Sequence, residues 1–126
     1  SAPWLGVGPN TINFSPGASA PMPGDEKLHI IPSHPHNWVV ELLAETGSIG
    51  FLMVAAAIGY IGYRWIRWYA RSGDIAVMGA LLIFAGYWGS GLFNFSYWSA
   101  WWQFSLFMAC AIALSHVRKT KNKPVE

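Results

Sequence analysis

Long runs of apolar residues without any charge dominate the second two thirds of the chain. Residues 46–63 contain no charged side chain, and residues 75–115 form a second such run. About 20 apolar residues in a helix cross a bilayer, so the first run and its flanks match one span. As a single helix, the second run would measure about 60 Å, twice the roughly 30 Å of hydrocarbon. It therefore predicts two helices joined by a turn.

Polar residues inside the second run mark where that turn lies. Asn94, Ser96 and Ser99 interrupt the apolar pattern. We therefore predict helices over residues 38–69, 75–93 and 98–117. Asn37 is the predicted N-cap of the first helix, because its side chain can accept hydrogen bonds from first-turn amides. The fold class is an all-α membrane protein with three transmembrane helices.

The first third of the chain differs from the rest in its high content of proline and glycine. Six of the eight prolines fall between Pro3 and Pro32, with glycines interleaved. This density breaks helices and strands and predicts an irregular, solvent-side segment, with room for short helical turns. Three regions follow: a loop segment (1–37), a transmembrane region (38–117) and a basic tail (118–126). The first residues, Ser1 to Trp4, resemble the interior of a loop, which suggests a fragment or a processed chain.

The basic residues predict which side of the membrane each region faces. Seven of the eight lie at the end of the first predicted helix, directly after it or in the tail: Arg64, Arg67, Arg71, Arg118, Lys119, Lys121 and Lys123. Since Lys and Arg concentrate on the cytoplasmic side, that face is predicted to be cytoplasmic. The N-terminal segment and the turn at residues 94–98 then face the opposite side.

Composition narrows the class of protein further. Hydrophobic residues make up 53% and charged residues 11%, against about 25% charged in soluble domains. This argues against a disordered chain, a nucleic-acid binder and a soluble enzyme core. A lone Cys110 excludes a disulfide framework and a Cys-based zinc site. A buried helical hairpin of a large soluble protein is the alternative, disfavoured by the length of the charge-free run.

The candidate catalytic and binding residues lie directly before the first predicted helix and along its first turns. His36 and Asn37 lie directly before it, and Glu41 and Glu45 follow at four-residue spacing, which places them on one helix face. One reading is a solvated acidic face at an interfacial helix start. The other is a polar cavity at the outer membrane face, with His36 at its rim.

The second reading has a chemical logic. Histidine titrates near neutral pH and can take a proton from a hydroxyl, while amides at a helix start can bind phosphate. The pair suits a phosphorylated, lipid-carried substrate. A metal site of His29, His34 and His36 is the alternative; prolines between them stiffen the loop, so we expect no metal and no cofactor. His116 is expected to interact with the C-terminal dipole of the last helix.

Glycine pairs and a His-Asn dipeptide follow one another in a set order. The elements are Gly6-x-Gly8, a proline-rich loop, His36-Asn37, nine residues, and Gly47-x-x-Gly50. With Glu45 before the second pair, this order resembles the C-terminal region of the O-antigen ligase and O-antigen polymerase superfamily. The resemblance covers nearly the whole chain.

The resemblance implies a bacterial inner-membrane glycosyltransferase with more spans than this chain. Such enzymes take a glycan from undecaprenyl pyrophosphate on the periplasmic side and transfer it to a glycan, lipid or protein hydroxyl. The reaction is inverting and metal-independent. The N-terminal segment would be periplasmic and the C-terminus cytoplasmic. The expected partners are the lipid-linked donor, the acceptor, membrane lipids and other transmembrane segments or subunits, with no nucleic acid.

The resemblance also implies roles for single residues. His36 would be catalytic, activating or positioning the acceptor hydroxyl. Substrate-binding roles fall to Asn37, Glu41, Glu45 and Lys27, the last being the one cation on the outer face. The arginines that hold the pyrophosphate lie in earlier periplasmic loops of the family, and this sequence lacks them. The alternative function is therefore a truncated, inactive relative that serves as a structural accessory subunit of a larger membrane complex.

Overall fold

The computed structural model describes residues 3–30 and 35–117, without the side chains of residues 26–28. This part is mostly helical. Its elements are a 3-10 helix (Ile12–Phe14), strands β1 (Pro21–Met22) and β2 (Asp25–His29), and helices α1 (Trp38–Ser72), α2 (Ile75–Ser90) and α3 (Ala100–Ser115). The three predicted helices are confirmed, with ends shifted by three residues or fewer. The predicted tail, residues 118–126, lies outside the described residues.

Local signals in the sequence set the helix ends. The Asn37 side-chain oxygen accepts hydrogen bonds from the amides of Val39 at 2.9 Å and Val40 at 3.1 Å, so the predicted N-cap is confirmed. α1 ends at Gly73, whose φ of 60° suits a residue without a β-carbon. Asp74 then caps α2 by accepting from the Ala76 amide at 2.9 Å.

Helix α1 is broken near its start, which the sequence analysis did not predict. Gly47 has φ 67° and ψ −173°, a combination that only glycine adopts readily. The break separates an outer helix, residues 38–46, from an inner helix, residues 48–72. At 1.5 Å per residue the inner helix is about 37 Å long, enough for a bilayer core of about 30 Å.

Among the described residues, one helix is long and apolar enough to cross a membrane, and that helix is α1. Only 17% of its most apolar 18-residue window is buried, which is unlike the core helix of a soluble protein. α2 and α3 have 16 residues each and rise about 24 Å, short of the hydrocarbon thickness. The three-span arrangement therefore stays a prediction.

The N-terminal segment is more ordered than its prolines suggested. β1 and β2 pair as an antiparallel hairpin, with Met22 opposite Asp25. The two intervening residues are Pro23 and Gly24, and Gly24 has φ 95°. Proline followed by a positive-φ glycine is a strong turn signal, but this hairpin was not predicted from the sequence. The 3-10 helix Ile12–Phe14 is one of the short helical turns that the segment was expected to allow.

Packing among the helices is sequential: α2 lies against α3, and α1 against α2. Val77 and Ala80 of α2 are fully buried, and Cys110 of α3 is largely buried. Aromatic rings fill the other end of the bundle, where the 91–99 turn meets the start of α1; we call this the outer end. There Trp38 meets Trp88 edge-on at 5.2 Å.

Candidate functional site

Glu41 joins α1 to the turn between α2 and α3. Its side chain is 1% exposed. One carboxylate oxygen accepts from the Ser96 hydroxyl at 2.6 Å, and the other accepts from the Tyr97 amide at 2.5 Å. Hydrogen bonds to a charged group contribute about 1.5–3 kcal/mol each. Glu41 therefore fixes the turn at the outer end of the bundle.

Glu45, one helical turn further, joins α1 to the N-terminal segment. It is also 1% exposed. Its oxygens accept from the backbone amides of Asn10 at 2.5 Å and Ile12 at 3.1 Å. The indole N–H of Trp98 donates to the same carboxylate. One side chain thus holds the N-terminal segment and the 91–99 turn together.

The solvated acidic face expected as one reading of these residues is therefore wrong. Both carboxylates are buried, and a buried charge is costly unless donors surround it. Here the donors come from segments 33 to 56 residues away along the chain. Ser96 and Trp98 were not identified as site residues, because nothing in their local sequence indicates a distant carboxylate.

The two glycine elements of the sequence form a single contact. A β-carbon on Gly6 would lie 2.3 Å from the Glu45 carbonyl carbon, and one on Gly47 would lie 2.3 Å from the Trp4 carbonyl carbon. Real β-carbons do not approach backbone this closely. The N-terminal segment and the break in α1 can therefore touch only because both positions are glycine.

Residues 3–8 supply the hydrogen bonds that α1 loses at its break. On the outer side, Val7 N–H donates to the Ala44 carbonyl at 3.0 Å and Gly8 N–H to the Glu45 carbonyl at 2.9 Å. On the inner side, the amide of Ser48 donates to the Pro3 carbonyl at 2.9 Å and that of Ile49 to the Trp4 carbonyl at 3.3 Å. We call residues 3–8 the bridging segment.

His36 lies at the outer end with its side chain exposed. Its backbone has φ 51°, a left-handed conformation that is uncommon for residues with a β-carbon but enriched for histidine, asparagine and aspartate. Its Nδ1 lies 3.4 Å from the Asn94 carbonyl oxygen. Asn94 belongs to the turn that Glu41 holds, so Glu41 determines the position of the group that faces the imidazole.

The other predicted site residues are placed differently. The Asn37 oxygen is bonded to the first-turn amides of α1. Lys27 belongs to β2, but its side chain lies outside the described residues. His116 follows α3, with Nδ1 3.0 Å from the Ile112 carbonyl, at the helix end where we expected it. Substrate contact by Asn37, Glu41, Glu45 or Lys27 stays a prediction.

The metal-site alternative involves His29, His34 and His36. The Nδ1 of His29 lies 2.8 Å from the Ser19 carbonyl oxygen, and His34 lies outside the described residues. Among the residues that the structure describes, no three His, Cys, Asp or Glu side chains are grouped closely enough to hold a metal ion. Metal independence stays a prediction.

Burial also affects one ring beside the site. Desolvation raises the pKa of the Tyr97 phenol above its ordinary value of 10. The phenol is neutral at physiological pH, as an ordinary tyrosine is, and the shift moves its titration further from that pH. The Tyr97 amide donates a hydrogen bond to Glu41, so the carboxylate also holds the backbone that carries this ring.

Comparison with known proteins gives partial matches. The chain is 27% identical over 78 residues to a Rickettsia bellii protein named "Putative polysaccharide ligase". The aligned region covers 61% of this chain and 18% of that protein. A Rickettsia prowazekii protein of similar name is 26% identical over 84 residues, or 64% of this chain and 19% of that protein. No protein-family model and no solved structure matches. The chain spans less than a fifth of these curated relatives. The similarity is consistent, at a coarse level, with an O-antigen ligase-like family and a polysaccharide-related function.

Proposed function

We propose that this chain is the C-terminal portion of a bacterial inner-membrane glycosyltransferase of the O-antigen ligase or polymerase type. It would transfer a glycan from undecaprenyl pyrophosphate to a periplasmic acceptor. One observation supports the proposal: the residues Gly6, Glu45 and Gly47 lie in contact with one another. The turn held beside them faces His36. Motifs that lie far apart in the sequence, and on which the resemblance rests, thus lie close together in the structure.

In this proposal His36 is the general base. If Nδ1–H donates to the Asn94 carbonyl, Nε2 is left as the proton acceptor. The acceptor hydroxyl oxygen forms a bond to the anomeric carbon from the face opposite the pyrophosphate. Its proton passes to Nε2, and the bond to the pyrophosphate oxygen breaks with its electron pair. The sugar carbon is inverted in this single displacement.

The carboxylates have a positioning role in this mechanism. Glu41 holds the turn that faces His36, and Glu45 holds the bridging segment and Trp98. Asn37 fixes the helix start directly after the imidazole. Lys27 is proposed to lie near the leaving pyrophosphate, whose developing charge needs cations. Further cations would come from parts of the protein beyond this chain.

The test uses the complete membrane protein that carries this sequence. His36→Asn is the informative variant, because asparagine tolerates a left-handed backbone and lacks a comparable base. We expect glycan transfer from a lipid-linked donor to fall about 10²- to 10⁴-fold at equal membrane abundance. His116→Asn, at the far end of α3, is the matched control. Normal transfer by the His36 variant would remove the catalytic assignment.

The accessory-subunit alternative has one observation in its favour. The side-chain oxygens of Asn37, Glu41 and Glu45 all bind groups of the protein itself, as a purely structural role requires. Under that alternative, the wild-type protein would show no transfer with any lipid-linked donor. It would instead copurify with a larger membrane complex, and His36→Asn would leave that association intact.

A further inference from the structure

The inner end of α1 carries an exposed row of aromatic and basic residues. Tyr60, Arg64, Arg67 and Arg71 follow at spacings of four, three and four, which places them on one helix face. We call this row the basic stripe. Arg64 lies 19 residues after Glu45, about 28 Å along the helix axis. The stripe is therefore about one hydrocarbon thickness from the candidate glycosyl site.

Tyrosines preorganise two of these arginines. Arg64 donates from Nη1 to the Tyr60 hydroxyl at 2.9 Å, and Arg67 does the same to Tyr63 at 2.9 Å. Each guanidinium carbon also lies over its tyrosine ring, at 5.8 and 5.7 Å. A guanidinium has five N–H donors, so each tyrosine bond occupies one and others can bind an anion.

The stripe borders a groove large enough for a small ligand. Arg64, Arg67 and Arg71 line it together with the indoles of Trp65 and Trp68, and its volume is about 550 Å³. Ligand sites commonly occupy about 300–1,000 Å³. Tryptophan is also the residue that settles at the boundary between headgroups and hydrocarbon. The groove thus combines cations with membrane-interface side chains.

The neighbouring helices supply little negative charge to this groove. α2, which packs on α1, has no charged residue, and neither has α3. Asp74 is the acidic residue at this end of the described helices, and its carboxylate caps α2. Counting Asp74 in full against the three arginines leaves a net charge of +2. An external anion would balance this charge.

We propose that the basic stripe binds the phosphodiester headgroup of an anionic glycerophospholipid from the cytoplasmic leaflet. Arg64 and Arg67 hold the phosphate oxygens, since planar guanidinium groups match phosphate with paired hydrogen bonds. Trp65 and Trp68 pack against the glycerol and upper acyl chains. The proposal rests on the membrane placement within the proposed function, but not on the chemistry at His36.

Native mass spectrometry of the complete protein tests this, with phosphatidylglycerol and phosphatidylcholine offered in equal amounts. We expect wild type to retain phosphatidylglycerol preferentially. Arg64→Gln with Arg67→Gln should lower that retention about tenfold, since each basic residue near an anionic headgroup contributes substantially. The matched Lys double variant should lose less than the Gln variant, because it keeps both charges. It should still bind more weakly than wild type, because ammonium groups lack the paired donors of a guanidinium.

Controls separate the possible sources of an effect. Arg118→Gln with Lys119→Gln removes the same charge from the tail and should leave retention unchanged; an equal loss would overturn a specific site. Equal retention of the two lipids by wild type would do the same. Displacement of the lipid by excess inorganic phosphate would show a phosphate site rather than a lipid site. His36→Asn should retain the lipid, so failure here is distinguishable from failure of the glycosyl function.

Discussion

Replacing Gly47 with alanine should undock the bridging segment from α1. The backbone at Gly47 has φ 67° and ψ −173°, a region that costs other residues about 1–3 kcal/mol. The new β-carbon would also lie 2.3 Å from the carbonyl carbon and 2.4 Å from the carbonyl oxygen of Trp4. Backbone atoms cannot rotate aside as a side chain does, so the segment has to move.

The cost follows from the contacts that this movement breaks. Four backbone hydrogen bonds join the bridging segment to the two sides of the break. At about 0.5–1.5 kcal/mol each, their loss costs about 4 kcal/mol. Relaxation of the segment removes part of the backbone strain, so the two terms do not add in full. We expect Gly47→Ala to lower the free energy of unfolding by about 3–5 kcal/mol.

Gly59→Ala is the matched control on the same helix. A β-carbon at Gly59 meets nothing within 4 Å, and alanine is favoured over glycine inside a helix by about 0.5–1 kcal/mol. The assay is thermal unfolding of the purified complete protein, followed by its tryptophan fluorescence, with limited proteolysis of the N-terminal segment. Gly47→Ala should melt lower and be cleaved earlier than Gly59→Ala. Equal melting and equal cleavage would refute the bridging arrangement.

Two further substitutions test the outer end. Glu45→Gln removes the charge that accepts from Asn10, Ile12 and Trp98; thermal melting should show a loss of about 2–3 kcal/mol, and an unchanged melting temperature would contradict the assigned contacts. Asn37→Ala removes the helix cap and should cost about 1 kcal/mol, measured in the same way. Asn37→Asp keeps the capping oxygen, so a loss as large as that of alanine would argue against capping.

The sequence predicted those parts of the fold that depend on neighbouring residues. The three helices and the turn around Asn94 followed from charge-free runs and their polar interruption. Asn37 was recognised as a cap because capping involves amides two and three residues away. His116 was placed at a helix end for the same reason. Each of these features is encoded within a few positions of the residue concerned.

Other features depend on partners far along the chain and escaped prediction. Gly47 looks like any glycine of an apolar helix until the bridging segment is seen against it. From the local sequence, Glu41 and Glu45 resemble a solvated helix face. Their hydrogen-bond donors, among them Ser96 and Trp98, lie more than 30 residues away along the chain. The order of motifs did bring His36, Glu45 and Gly47 to attention. It did not indicate that the glycines make the loop contact possible.

The break in α1 has a consequence for where it can lie in a bilayer. A helix interruption usually exposes amides and carbonyls that require water, which confines it to a wet surface or an aqueous cavity. Here the backbone of residues 3–8 bonds to both sides of the interruption. Under the proposed membrane placement, the region around Gly47 can therefore lie below the headgroups, because these backbone groups are bonded within the protein. In that placement, the loop that reaches Gly47 would lie at the same depth as the break, which brings Pro3 and its neighbours close to the hydrocarbon.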